Sequence, residues 1–202
     1  MKEMFRLVGV LTLICLCCSA LLAAVYEKTR DPIAAAAAAR RQAAARDVLP
    51  ADAPTPRLIG FGGVTNYAAF DAGGSLIATA VEGRSTKGYG GDVVLMVGIS
   101  AEGQVLDFQV IDAKETPGLG TRIGSPAFKK GIRGRAMDAN WTVKKDGGEV
   151  DAVTAATISS RAALDAIRQA IAWHREWLAT TVPAAAIPRA PESAPTVPPV
   201  NP

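Results

Sequence analysis

Outside one apolar stretch near its N-terminus, this 202-residue chain has no cysteine, and it has a single histidine, His174. Cys15, Cys17 and Cys18 all lie inside the apolar stretch, where they read as small hydrophobes of a helix. The remainder therefore has no disulfide framework, zinc ribbon, iron–sulfur cluster or C-x-x-C-H haem site. It has no G-x-x-x-x-G-K-[ST] loop and no G-x-G-x-x-G opening a helix. A net charge of +3 with no isolated Lys/Arg block gives no footprint for nucleic acid. No nucleophile, base and orienting group assemble from the sequence, so hydrolysis has no support and no catalytic residue is assigned. With no metal ligands to hand, redox chemistry outside the membrane has to come from an organic cofactor.

Residues 7–26 carry no charged side chain, and a bilayer core takes about 20 apolar residues of helix. Lys2 and Arg6 precede the run. That pattern also begins a cleaved secretory signal. The run is long for a signal core, and its exit at residues 20–26 offers no clean A-x-A, so an uncleaved anchor in the lipid bilayer is expected. Lys28, Arg30, Arg40 and Arg41 follow the run, which by charge count alone would leave the C-terminal side in the cytoplasm. That rule is weak for long translocated domains.

Four segments are expected. Residues 1–26 are a cytoplasmic start and transmembrane anchor, and residues 27–56 an Ala/Arg-rich juxtamembrane helix and linker ending in Pro50, Pro54 and Pro56. Residues 57–180 form the globular domain, and residues 181–202 a Pro/Ala-rich tail with too little to bury to hold a fold. Within the domain, strands are expected at 75–81, 93–99, 105–111 and 141–143. In the third of these, Leu106, Phe108 and Val110 alternate with Asp107 and Gln109, and the second and third form a hairpin. A helix is expected from about Ser160 to Leu178, with Leu164, Ile167, Ile171 and Leu178 on one stripe. Antiparallel strands with segregated helices make the class α+β. His174 and the pair Trp173 and Trp177 read as packing residues, and the basic stretch 129–135 as a solvated loop or a docking face for an acidic partner or lipid headgroups.

Three stretches bear on chemistry. Residues 151–160 (D-A-V-T-A-A-T-I-S-S) are small and hydroxyl-rich and precede the helix. Helix N-termini offer unpaired N–H groups and a partial positive charge, which suits a phosphate. Ser159 or Ser160 suits an N-cap and Arg161 a nearby cation; an ordinary capped helix start fits the same residues. Residues 114–123 (K-E-T-P-G-L-G-T-R-I) hold a Pro-Gly turn, with Gly118 and Gly120 small enough for a flat ligand to approach. Residues 87–91 (K-G-Y-G-G) are a second glycine-rich turn.

In order and spacing, Gly88-Tyr-Gly90, Glu115-Thr-Pro-Gly-Leu-Gly120 and Asp151-x-x-Thr-x-Ala-Thr157-x-Ser159 together resemble the FMN-binding RnfG family, a component of Rnf ion-translocating electron-transport complexes. That family is related to the C component of the sodium-pumping NADH:quinone reductase. The resemblance runs from the anchor to about Leu178. It implies an FMN-binding domain on the periplasmic face of the cytoplasmic (inner) membrane. It also implies a covalent FMN that a flavin transferase joins by phosphoester to Thr157, and electron transfer within a multisubunit membrane complex. Glu115, Thr116, Gly118, Leu119, Gly120, Thr154 and Ser159 are its expected neighbours. The family usually has Gly where this chain has Ala155, and an added methyl disfavours positive φ. A flavin-binding sensor or scaffold without electron transfer is the alternative reading.

Overall fold

The computed structural model describes residues 1–61 and 64–181. The expected tail lies, beyond Thr181, outside the described residues. The chain divides into two compact units, residues 1–41 and residues 42 onward.

The first unit is helical throughout. Helix α1 spans Lys2–Val48, and near the N-terminus it is long and apolar enough to cross a membrane, with none of its apolar window buried against protein. The helix continues past residue 41, and its last turns belong to the second unit. The stretch read as a linker therefore contributes Ala44, Ala45, Val48 and Leu49 to a buried cluster with Tyr67, Ala69, Ala78, Ala80 and Met96. The small Ala44 and Ala45 read as linker in sequence; here they let the helix end lie close on the sheet.

The second unit is built on an antiparallel meander of β1 (Arg57–Phe61), β2 (Val64–Phe70), β3 (Leu76–Ser85), β4 (Val93–Ser100) and β5 (Val105–Ala113), in sequence order. The expected α+β class holds, and the expected hairpin is β4–β5. Every β4 residue is buried because both sheet faces are covered. On one face lies the end of α1. On the other lies α3 (Thr157–Thr181), which packs Leu164, Ile167 and Ile171 against Val81, Leu95, Val97 and Phe108. The predicted stripe is right, and Ala162, Ala166 and Ala170 widen it into a close-packed surface. Two glycines permit the approach. A Cβ on Gly83 would lie 2.1 Å from the Ala166 carbonyl oxygen, and one on Gly98 would lie 2.1 Å from that of Val48.

Some details differ from the expectation. Strand β5 pairs with β4 through two register shifts, so Leu106 packs with the α1-side cluster while Phe108 stays in the α3-side core. Residues 141–143 form no strand, only a bridge from Val143 to Val150, within a loop region that also holds the short helix α2 (Pro126–Lys130). The basic stretch is tied down by ion pairs, although Lys130 and Arg133 stay exposed to solvent. Arg133 and Lys129 approach Asp107 at 2.6 and 3.6 Å, and Arg135 meets Glu149 at 2.5 Å. Trp173 and Trp177 stack at 6.2 Å, with Trp177 in the core beside Ala68 and Leu76.

Candidate functional site

Helix α3 starts three residues earlier than its hydroxyl pattern suggests. The Ala156 N–H bonds the Val153 carbonyl at 3.0 Å, and the Ser160 N–H bonds the Ala156 carbonyl at 3.0 Å, so the helical bonds begin with Thr157 as first residue. Ser160 is not the N-cap. Its hydroxyl accepts from the Val153 N–H at 2.9 Å and donates to the Ala156 carbonyl at 3.0 Å, knotting the turn from inside. That turn requires Ala155 at φ 63°, and among the described residues it is the one non-glycine at positive φ. The methyl anticipated as unfavourable is indeed carried in the left-handed region, at a cost of about 1–2 kcal/mol.

The first turn of α3 leaves its N–H groups without intrahelical acceptors and carries no acidic residue. The four hydroxyls of the stretch are thereby sorted. Ser159 and Ser160 are buried and hydrogen-bonded, and Thr154 is exposed. Thr157 is half-buried at the positive end of the helix, and its hydroxyl has no hydrogen-bond partner among the described residues.

Glu115 joins the three sequence motifs. Its side chain is buried; Oε1 accepts from the Tyr89 N–H at 2.8 Å and Oε2 from the Ser159 hydroxyl at 2.7 Å. The glycines around it make room for this carboxylate. A Cβ on Gly88 would lie 2.6 Å from Oε1, and one on Gly120 would lie 2.5 Å from Oε2 and 2.8 Å from Ser159 Oγ. Gly120 is therefore small for the sake of Glu115, not of a ligand. Gly118 has open space at its Cβ position and sits at φ 76°, with its N–H bonded to Thr121 Oγ1 at 3.0 Å, so it serves the turn.

Around this clasp lies a cavity of about 540 Å³, lined by Tyr89, Glu115, Thr116, Leu119, Gly120 and residues 155–159. Six of the eight anticipated residues thus converge: Glu115, Thr116, Leu119, Gly120, Thr157 and Ser159. Gly118 and Thr154 are not part of the lining. Sequence reasoning did not place Tyr89 or Ile158 there, although Tyr89 stood inside a flagged motif. Tyr89, Leu119 and Ile158 come from three different segments and expose 71%, 43% and 46% of their surface, giving the mouth an apolar edge.

The neighbouring charges are occupied elsewhere. Arg161 does not face the cavity; it grips Asp146 with two bonds of 2.7 Å and holds that carboxyl below its usual range. Asp165 is pushed up by burial, but hydrogen bonds from Ser85, Lys87 and Arg168 outweigh this and leave it low. His174 is fully buried on α3, with Nδ1 2.8 Å from Thr79 Oγ1; burial, then the Arg175 charge, pushes it down to about 4. It is a packing residue, as expected. No metal-holding cluster occurs among the described residues.

The cavity is a few hundred cubic ångströms, as small-molecule sites are, with an apolar rim at one side and a helix N-terminus at the other. An apolar rim suits a flat ring, and a helix N-terminus with free N–H groups suits a phosphate.

Family models and sequence relatives identify the family. An FMN-binding domain model matches residues 88–172, and an RnfG N-terminal region model matches residues 1–48. The G subunit of the ion-translocating oxidoreductase complex of Shewanella baltica is 36% identical over 64% of this chain, which spans 58% of that relative's length. The G subunit of the proton-translocating ferredoxin:NAD(+) oxidoreductase complex of Clostridium ljungdahlii is 32% identical, over 84% of this chain and 91% of the relative. The crystal structure of Shewanella oneidensis NqrC aligns at 25% identity over 52% of this chain and 54% of its own, with a TM-score of 0.44. The chain belongs to the RnfG family, the G subunits of ion-translocating oxidoreductase complexes.

Proposed function

We propose that this chain is the membrane-anchored electron-carrier subunit of an ion-translocating oxidoreductase complex, with FMN esterified through its phosphate to Thr157. The observation that carries the assignment is the unpartnered Thr157 hydroxyl at the positive end of α3, inside the cavity that the three motifs build. An ester on that oxygen would put a phosphate anion beside the first-turn N–H groups of α3, which would hold it. Tyr89, Leu119 and Ile158 would hold the ring at the apolar mouth, with Glu115, Thr116, Gly120 and Ser159 lining the rest of the cavity. FMN supplies one- and two-electron chemistry at its ring; the protein supplies orientation and local charge. The tether keeps the cofactor at an intramolecular concentration, which matters where free flavin would be lost by dilution.

The rest of the assignment follows the family. Residues 1–26 form the start and a single bilayer-spanning anchor, residues 27–56 the juxtamembrane segment, residues 57–180 the FMN domain on the periplasmic side of the inner membrane, and residues 181–202 the tail. A flavin transferase attaches the cofactor, and other subunits of the Rnf-type complex deliver and take electrons. The anchor carries no charge between residues 7 and 26, so the ion path belongs to those subunits.

Coexpression with the transferase tests the assignment. Thr157→Val keeps the side-chain shape and should abolish flavin fluorescence on a denaturing gel, while Thr154→Val keeps it. Fluorescence persisting on denatured Thr157→Val protein would reject Thr157.

A further inference from the structure

Glu115 is a buried carboxylate without a counter-ion. It is 6% exposed, both oxygens accept from neutral donors, and no Lys or Arg pairs with it among the described residues. Burying a charge in this way is costly unless something offsets it. The offset available is the first turn of α3, where Ser159 sits and the helix dipole favours an anion. A neutral side chain could bridge Tyr89 and Ser159 as well, so the clasp alone does not require a charge.

We infer that Glu115 is an electrostatic positioning residue which keeps negative charge from accumulating in the cavity, so that electrons enter the site together with protons. This rests on the flavin assignment above. Two-electron reduction with uptake of one proton leaves one added negative charge on the ring, and uptake of two protons leaves none. The carboxylate charge inferred for Glu115, with no Lys or Arg paired to it among the described residues, disfavours the first product relative to the second. The electrons come from a low-potential one-electron donor in the partner subunits and the protons from water at the open mouth.

Among the chain's own side chains Glu115 is the source of this field; it adds to the phosphodiester charge, which the first-turn N–H groups of α3 would meet in both wild type and variants. Within the lining, the other titratable side chain is Tyr89, whose exposed ring lies at the mouth. From the loop before β4, Lys87 is held by Asp165 at 3.2 Å; from α3, Arg161 is held by Asp146. Lys114 and Arg122, which flank the Glu115 loop, are exposed to solvent, where screening weakens their reach.

The test is a redox titration of the full chain carrying flavin, with dithionite and mediator dyes, across pH 6–9. Wild-type protein with flavin on Thr157 is the starting point, so failure of the flavin assignment would show before any variant is made. The variant is Glu115→Gln, which keeps the shape, accepts from the Tyr89 N–H and donates to Ser159. Its reduction equilibrium at pH 8 should shift at least tenfold toward reduced flavin, about 30 mV for a two-electron couple. Its potential should also change from two protons per two electrons to one at a lower pH than in wild type, halving the slope from about 59 to about 30 mV per pH unit. Glu115→Asp, which retains the charge, should keep the wild-type slope even if its melting temperature falls. An unchanged potential and slope in Glu115→Gln would overturn the inference. So would a Glu115→Gln protein that melts like wild type yet takes no flavin, because the carboxylate would then serve attachment instead.

Discussion

Ala155→Gly should stabilise this protein, against the usual direction of a glycine substitution. Ala155 sits at φ 63°, held there because Ser160 and the Val153–Ala156 bond fix the turn that feeds α3. An L-residue in this region costs about 1–2 kcal/mol. Glycine removes that cost and loses about 0.5–1 kcal/mol through extra freedom in the unfolded chain. The net gain is about 0.5–1 kcal/mol, or a rise of roughly 2–4 °C in Tm for a domain this size. Thermal unfolding of the detergent-solubilised chain, followed by circular dichroism, reads it directly. Ala156→Gly is the control, since Ala156 is buried next door without positive φ, and it should lower Tm. The relaxed turn should also speed attachment, seen as faster growth of gel fluorescence during coexpression. If Ala155→Gly lowers Tm as much as Ala156→Gly does, the strain argument is wrong.

Other perturbations follow from the same geometry. Gly120→Ala drives a methyl into Glu115 and Ser159, so it should open the clasp and cut flavin loading severalfold, measured as flavin absorbance per protein; Gly118→Ala, with open space but a left-handed φ, should cost stability while leaving most loading intact. Gly98→Ala puts a Cβ against the Val48 carbonyl and should cost about 1–3 kcal/mol, read by urea unfolding. His174 is held neutral down to about 4 while its unfolded value is near 6.5. The unfolded chain therefore binds more protons between those values, so the contribution is complete above pH 6.5 and is lost as pH falls towards 4, by about 3 kcal/mol at most. His174→Gln should flatten that slope in unfolding measurements at pH 4–7.

The parts of this fold that sequence reveals are those whose pattern is local. Strands β3, β4 and β5 are long apolar runs bounded by turn residues, and α3 has its own periodic stripe. Strand β1 escapes because five residues, R-L-I-G-F, carry no alternation and leave Leu58 exposed. The end of α1 escapes because Ala44 and Ala45 look like linker until Gly98 is seen to lie beneath Val48. In the site, the motifs could be named but not their mutual roles. Glu115 finds Tyr89 and Ser159 at 26 and 44 residues' separation, and Arg161 leaves the expected phosphate position for Asp146. Such pairings are set by how loops close over the sheet, which no window of sequence contains. Ala155 is the instructive exception, since the steric rule for positive φ could be applied before any coordinates.

The central claim is the identity of the modified residue, and peptide mapping by tandem mass spectrometry addresses it most directly. Trypsin acting on chain coexpressed with the transferase should release residues 146–161, which contain Thr154, Thr157, Ser159 and Ser160. The account predicts this peptide heavier by FMN less one water, with every fragment that includes Thr157 carrying the addition and every fragment that ends before it unmodified. An addition mapped to Thr154, Ser159 or Ser160, or an unmodified peptide from protein that retains flavin after denaturation, would contradict it.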